Sequence, residues 1–194
     1  MERDAEYGQR IHGACGSNKA LLSSIDDRVG DACDLPWADK SFDIVYSNAV
    51  IEHVGDFARQ QRMAREIARV GKSWFVTTPN RWYPYEFHLR LPFVTWLPFH
   101  GYRWAGAFLA YNHLSRRYRF TLSPREVGFR LLSCRELKMC FPDSRVLKLR
   151  VTFWPETLLA IGRQRAGIEP SQSEMATGCG HAAIVSGHVP RYQR

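Results

Sequence analysis

Residues 30–54 read GDACDLPWADKSFDIVYSNAVIEHV, and the fold turns on how this stretch is read. Within it, Ser41-Phe42-Asp43-Ile44-Val45-Tyr46-Ser47 is rich in β-branched and aromatic residues. Ile44-Val45-Tyr46 lacks the polar alternation of a half-solvated strand, which predicts a strand buried on both faces, normally part of a parallel sheet. After Ser47 comes Asn48-Ala49-Val50-Ile51-Glu52-His53-Val54, a small polar residue ahead of an apolar run, which suits a loop or helix entry. Ligands in open α/β sheets bind beyond the carboxyl ends of the strands, so Ser47, Asn48 and His53 are candidate contacts. The plainer alternative is that Asn48 caps a turn and His53 is a half-buried surface residue.

Working outward, residues 56–70 predict a helix with Phe57, Gln61, Ala64 and Ala68 on one face and Met63, Ile67 and Val70 beside it. Asp56 suits its N-cap and Gly71 its stop. Ser73-Trp74-Phe75-Val76-Thr77-Thr78 then predicts a strand halted by Pro79, and strand, helix and strand make one βαβ crossover. Residues 79–92 follow a strand's carboxyl end and set Asn80, Arg81, Tyr83, Glu86 and His88 among aromatics, as a substrate-facing loop would. Glu86 or His88 could take a proton from an acceptor hydroxyl or amine, because burial tunes either towards neutral pH. Alternatively, Trp82, Tyr85 and Phe87 pack a lid and the polar side chains face water.

Residues 91–114 carry seven large aromatic side chains. They read as a helical insertion packed on the sheet, as a lid over an apolar or lipid-linked acceptor, or as a patch dipping into a membrane surface beside Arg116-Arg117-Tyr118-Arg119. Thr121-Leu122-Ser123-Pro124-Arg125-Glu126 predicts a helix running to about Ser133. Residues 146–151 and 156–163 predict two further strands. From Gln164 onward large apolar residues are scarce, which predicts disorder, and His181-Ala182-Ala183-Ile184-Val185 is too brief to change that.

Gly30-Asp31-Ala32-Cys33-Asp34-Leu35-Pro36-Trp37, then Asp39, the strand at Ile44, Glu52-His53-Val54, Glu66, Arg69-Val70-Gly71 and Val76-Thr77-Thr78-Pro79-Asn80 together resemble the class I S-adenosylmethionine-dependent methyltransferases of the type 11 group. The resemblance covers roughly residues 28–80. It implies an α/β, Rossmann-like, mostly parallel sheet, S-adenosylmethionine as cofactor, and methyl transfer to an acceptor that the motifs do not name. By the same resemblance Asp31 meets the adenine amino group and Ala32 offers a backbone N–H to the ring. Ser47 and Asn48 line the floor near the sulfonium, with His53 close by. The family's N-terminal glycine-rich cofactor loop has no counterpart here. The nearest glycines, Gly13 and Gly16, fit the second strand, with Cys15 where the ribose-binding acid would stand and Ser17 capping a short helix through Leu21-Leu22. The expectation is therefore an N-terminally truncated fold: a partial, loose remnant at 1–27, a methyltransferase-like domain at 28–163 with an aromatic-rich helical insertion at about 81–120, and a disordered tail at 164–194. The second reading is an inactive, methyltransferase-like module that binds a partner without cofactor.

The 194 residues suffice for one domain with a real core but not for two. No leading segment has the order of a secretory signal, and residues 91–111 are too interrupted to span a membrane, so a cytoplasmic protein is expected. Five scattered cysteines without a CxxC pair predict neither a disulfide framework nor a metal site. A net charge of +8 suits nucleic acid or an anionic membrane, but the basic residues are spread out and no nucleic-acid motif accompanies them. The expected partners are a small-molecule or lipid-linked acceptor and, peripherally, a membrane.

Overall fold

The computed structural model describes residues 9–15, 26–112, 117–120, 127–164 and 181–186. Elements follow in the order β1 (Gln9–Cys15), β2 (Asp26–Gly30), β3 (Ile44–Asn48), α1 (Phe57–Val70) and β4 (Ser73–Pro79). The insertion then supplies β5 (Tyr85–Glu86), β6 (Leu91–Pro92), α2 (Tyr102–Phe108), β7 (Leu109–Asn112) and β8 (Arg117–Phe120). Last come α3 (Cys134–Cys140), β9 (Arg145–Arg150), β10 (Pro155–Arg163) and β11 (His181–Ser186). Seven strands form the main sheet in the order β2-β1-β11-β3-β4-β10-β9. Parallel ladders join β11 to β3 and β3 to β4, and the other four ladders are antiparallel. The sheet is thus mixed, although five of the seven strands point the same way, with β1 and β10 reversed.

The βαβ crossover stands as read. Asp56 caps α1 by accepting the Arg59 backbone N–H, and the Gly71 N–H closes the last turn on the Ile67 carbonyl. The buried stripe of α1 is Gln60, Met63, Ala64, Ile67 and Val70, so the helix is rotated from the expected Phe57–Gln61 face. Its apolar members pack with Val45, Trp74, Val76, Leu137, Phe141 and Leu158 in the main core. β3 differs from expectation. Val45 and Ser47 are buried, but Ile44 and Tyr46 are exposed, because α1 and α3 pack on each other and no described helix covers the opposite face of β3.

The described residues of 81–120 are less helical than expected: two 3-10 turns, the seven-residue α2 and two antiparallel ribbons, β5–β6 and β7–β8. Leu89, Val94, Tyr102, Val127, Phe129 and Leu131 give this region its own small core. A polar network ties it to α1. Arg130 donates to Gln60 Oε1 at 2.9 Å, to His100 Nε2 at 3.2 Å and to Glu136, while Arg81 reaches the same His100 nitrogen at 3.3 Å. Burial, then the two guanidiniums, push the His100 imidazole down to about 4. No helix runs through 127–133. α3 starts after Ser133, which forms a capping box with Glu136. The proposed helix starts at Ser17 and at 121–126 lie outside the described residues.

Two expectations for the ends of the chain are corrected. Residues 181–186, assigned to a structureless tail, form β11 at the centre of the sheet, where Ala183 is buried in the main core. β1 and β2, expected to be loose, are an antiparallel pair joined to the sheet through β11.

Candidate functional site

Strand direction sorts the candidate residues. β2, β11, β3 and β4 all end on one edge, which carries Asp31, Ser47-Asn48 and Thr78. β1 runs the other way and pairs Cys15 with His181 at the start of β11. Cys15 therefore lies at the opposite edge and cannot stand in for a ribose-binding acid beside Asp31. With β1 and β11 between them, β2 and β3 are three strand spacings apart, or about 14 Å.

Asp31 follows β2 in a tight turn. Its Oδ1 accepts the Cys33 backbone N–H at 2.9 Å and its Oδ2 pairs with Arg59 at 2.8 Å. Partial burial acts against ionisation, but the Cys33 N–H and the Arg59 guanidinium outweigh it and hold the carboxyl below its ordinary value. Arg59 also donates from Nε to the Val54 carbonyl at 2.8 Å, so one side chain ties the Asp31 turn to the His53-Val54 segment. Ala32 is buried with its methyl in the main core, which leaves backbone as what it can offer a ligand. Ser47 is fully buried, and its Oγ has no hydrogen-bond partner among the described residues. Asn48 is exposed and accepts from the Thr77 hydroxyl through Oδ1.

Thr78, one residue further along β4, donates to Glu52 Oε2 at 2.8 Å. Glu52 lies in a 3-10 turn, Ile51–His53, with no solvent exposure, and its Oε1 lacks a partner. Burial pushes its carboxyl up to about 7. Electrostatically it feels His88 and Glu86, which belong to the insertion. Glu86 is 2% exposed; it accepts the Leu89 backbone N–H, and its Oε1 lies 2.7 Å from His88 Nδ1. With a carboxylate accepting there, Nδ1 carries the hydrogen and Nε2 is left as the acceptor. Burial opposes the charged imidazole, but Glu86, with Glu52 behind it, raises the His88 pKa above its ordinary value. The ring stacks on Phe129 at 4.4 Å and meets His53 edge-on at 5.1 Å. His53 is pushed down to about 4, by burial first and then by His88, so it is the neutral partner of the two.

Glu86 and His88 thus stand together with His53, more than thirty residues earlier in sequence, while Ser47 and Asn48 line the neighbouring strand end. Asp31 and Ala32 lie across the edge, where Arg59 links Asp31 to the Val54 carbonyl, next in sequence to His53. Three participants were missed in the sequence: Glu52, Thr78 and Arg59. Glu52 left a signal, as a lone acid inside the apolar run of residues 49–54. Arg59 left none, being one of four arginines on α1.

An α/β sheet with a crossover from β3 to β4 and polar residues gathered at one carboxyl edge defines a Rossmann-like protein. Residues 5–74 match the family model described as a methyltransferase domain. A relative from Mycolicibacterium smegmatis, named "Probable S-adenosylmethionine-dependent methyltransferase", is 36% identical over 63 residues, which cover 32% of this chain and 24% of the relative. The chain thus spans about a quarter of the length of that curated relative. Among solved structures, a SAM-dependent methyltransferase from Methanosarcina mazei aligns with TM-score 0.45 and 18% identity over 71% of this chain and 66% of its own. A chain from the complex between the Haloferax volcanii Trm112 methyltransferase activator and a methyltransferase aligns with TM-score 0.38 and 19% identity, covering 70% and 60%.

Proposed function

We propose that this chain carries out S-adenosylmethionine-dependent methyl transfer, with the cofactor along the edge between Asp31 and Ser47-Asn48 and the Glu86–His88 pair as base. What supports this most is a single arrangement: a carboxylate and an unpartnered buried hydroxyl share one sheet edge with a hydrogen-bonded acid–imidazole pair whose acid, Glu86, is buried. The residues present fit such a cofactor. Asp31 has a side chain 47% exposed and a spare lone pair on each oxygen, and Ser47 Oγ is a buried polar atom still lacking a partner. When bound, S-adenosylmethionine supplies a methyl group on a sulfonium, ready for in-line attack by a nucleophile.

The chain's own residues would do the rest. Asp31 accepts donors from the ligand, and Ala32 presents backbone. Ser47 and Asn48 form the floor, held by Thr77. His88 Nε2 takes the proton from the acceptor's hydroxyl or amine, and Glu86 fixes the tautomer and balances the charge that develops on the ring. The acceptor is a small or lipid-linked molecule that enters past the insertion bearing Glu86 and His88.

Calorimetric titration with S-adenosylmethionine tests this reading. Micromolar binding is expected, weakened about tenfold or more by Asp31→Ala, which deletes a charge-assisted acceptor. No heat at millimolar cofactor would overturn the proposal in favour of a partner-binding module.

A further inference from the structure

Two stretches that are distant in sequence meet on the surface as an aromatic, positively charged face. Residues 81–120 hold six arginines and one acid, Glu86, which is buried and already paired. Residues 145–154 hold three basic residues and no acid. The turn after β9 brings the second stretch onto the first: Trp154 lies 6.1 Å from Trp96, which in turn meets Phe93 at 5.0 Å. Nearby on the same insertion, Trp104 stacks on Phe108 and Phe108 on Phe120. These rings are not core. Phe153 is 87% exposed, Trp104 73% and Phe120 70%, and Val151 and Leu97 add exposed aliphatic surface. Arg103, Arg117, Lys148 and Arg150 are exposed on the same segments. Of the exposed acids among the described residues, Asp31, Asp34, Asp39 and Asp56 belong to the turns before β3 and α1, and Asp143 precedes the start of β9, at the end of that strand away from the turn bearing Phe153 and Trp154.

We propose that this face docks on the surface of an anionic lipid bilayer. Exposed aromatic and aliphatic tips cost free energy in water and gain it at the boundary between headgroups and acyl chains, while the arginines and lysine face the lipid phosphates. Among the described residues no helix is long and apolar enough to cross a membrane, so the contact is interfacial. Nucleic acid would also draw the cations, but Val151, Leu97 and the protruding Phe153 suit an apolar phase better than a stacked base. The inference goes beyond methyl transfer and does not depend on it.

The test is flotation of the full chain with vesicles of phosphatidylcholine alone and of phosphatidylcholine mixed with phosphatidylglycerol, without cofactor or acceptor. Binding is expected on the mixed vesicles, falling about fivefold for each charge removed in Arg103→Gln and Lys148→Gln, and weakened by salt. Phe153→Ala with Trp104→Ala should lower it about tenfold or more, with unchanged circular dichroism, since neither side chain is buried. Equal binding to neutral vesicles, or vesicle binding that the aromatic pair leaves unchanged, would overturn the proposal. So would salt-sensitive binding to single-stranded RNA without flotation, or lipid-independent self-association lost in the aromatic pair. Loss of cofactor binding in Asp31→Ala should leave flotation intact, which separates the two proposals.

Discussion

Glu52 is folded with one carboxyl oxygen bonded to Thr78 and the other facing no partner, and burial sets the charged form against the fold. Its folded pKa, about 7, lies above the ordinary 4.5, so the folded state holds a proton that the unfolded chain has already lost across that interval. Stability therefore declines as pH rises from 4.5 to 7, and above 7 the full penalty, on the order of 3 kcal/mol, is present. Glu52→Gln keeps the acceptor for Thr78 and removes the titration. Its stability relative to the parent should rise between pH 5 and pH 8 by up to that amount in urea unfolding, and a difference independent of pH would refute the assignment. At this scale Glu86, His88 and His53 were legible as chemistry-bearing residue types near strand ends. Their mutual contacts were not, because the stacking of His88 on Phe129 joins residues 41 positions apart. Ala32 and Ser47 were legible as positions, but their complete burial was not.

The elements whose limits are set locally were readable. Asp56 before α1, and a strand of β-branched and aromatic residues stopped by Pro79, act through neighbours in sequence. β3 was misjudged because Ile44-Val45-Tyr46 is apolar on both faces, whereas its outer face meets no described helix and Tyr46 rests on Phe75 of β4 at 5.6 Å. The helix expected to run to about Ser133 does not extend through 127–133, and a helix not foreseen in the sequence, α3, begins there at the reciprocal Ser133–Glu136 capping box. Packing between elements also sets a requirement at Gly162 in β10, directly opposite Trp74 of β4. A Cβ built there would lie 2.3 Å from the indole, which cannot retreat freely because its Nε1 donates to Ser144 Oγ at 2.7 Å. Gly162→Ala should cost about 1–3 kcal/mol or more, measured as a lower urea midpoint, and an unchanged midpoint would mean that the indole is free to move.

For the molecule as a whole, β11 decides whether the sheet is one object or two. β1 and β2 touch the remaining strands only through it, and Ala183 is its buried contact with the core. Ala183→Pro removes a donor from the ladder in mid-sheet, where proline is not tolerated. Amide exchange should then quicken throughout β1 and β2 while β4, β9 and β10 keep their protection. Uniform loss, or none, would contradict this division of the sheet. The central strands were legible because each carries a strong apolar pattern. β11 was not, because His-Ala-Ala-Ile-Val-Ser is short and mild, and its place is fixed by two neighbours more than 130 residues away. Its position also governs when folding can finish. On the ribosome β1, β2, β3 and β4 are made well before β11, yet β11, the last of the described strands in chain order, must slot between β1 and β3. Until it arrives, the facing edges of β1 and β3 stay open for more than a hundred residues of synthesis, a window in which a holdase chaperone would have something to cover.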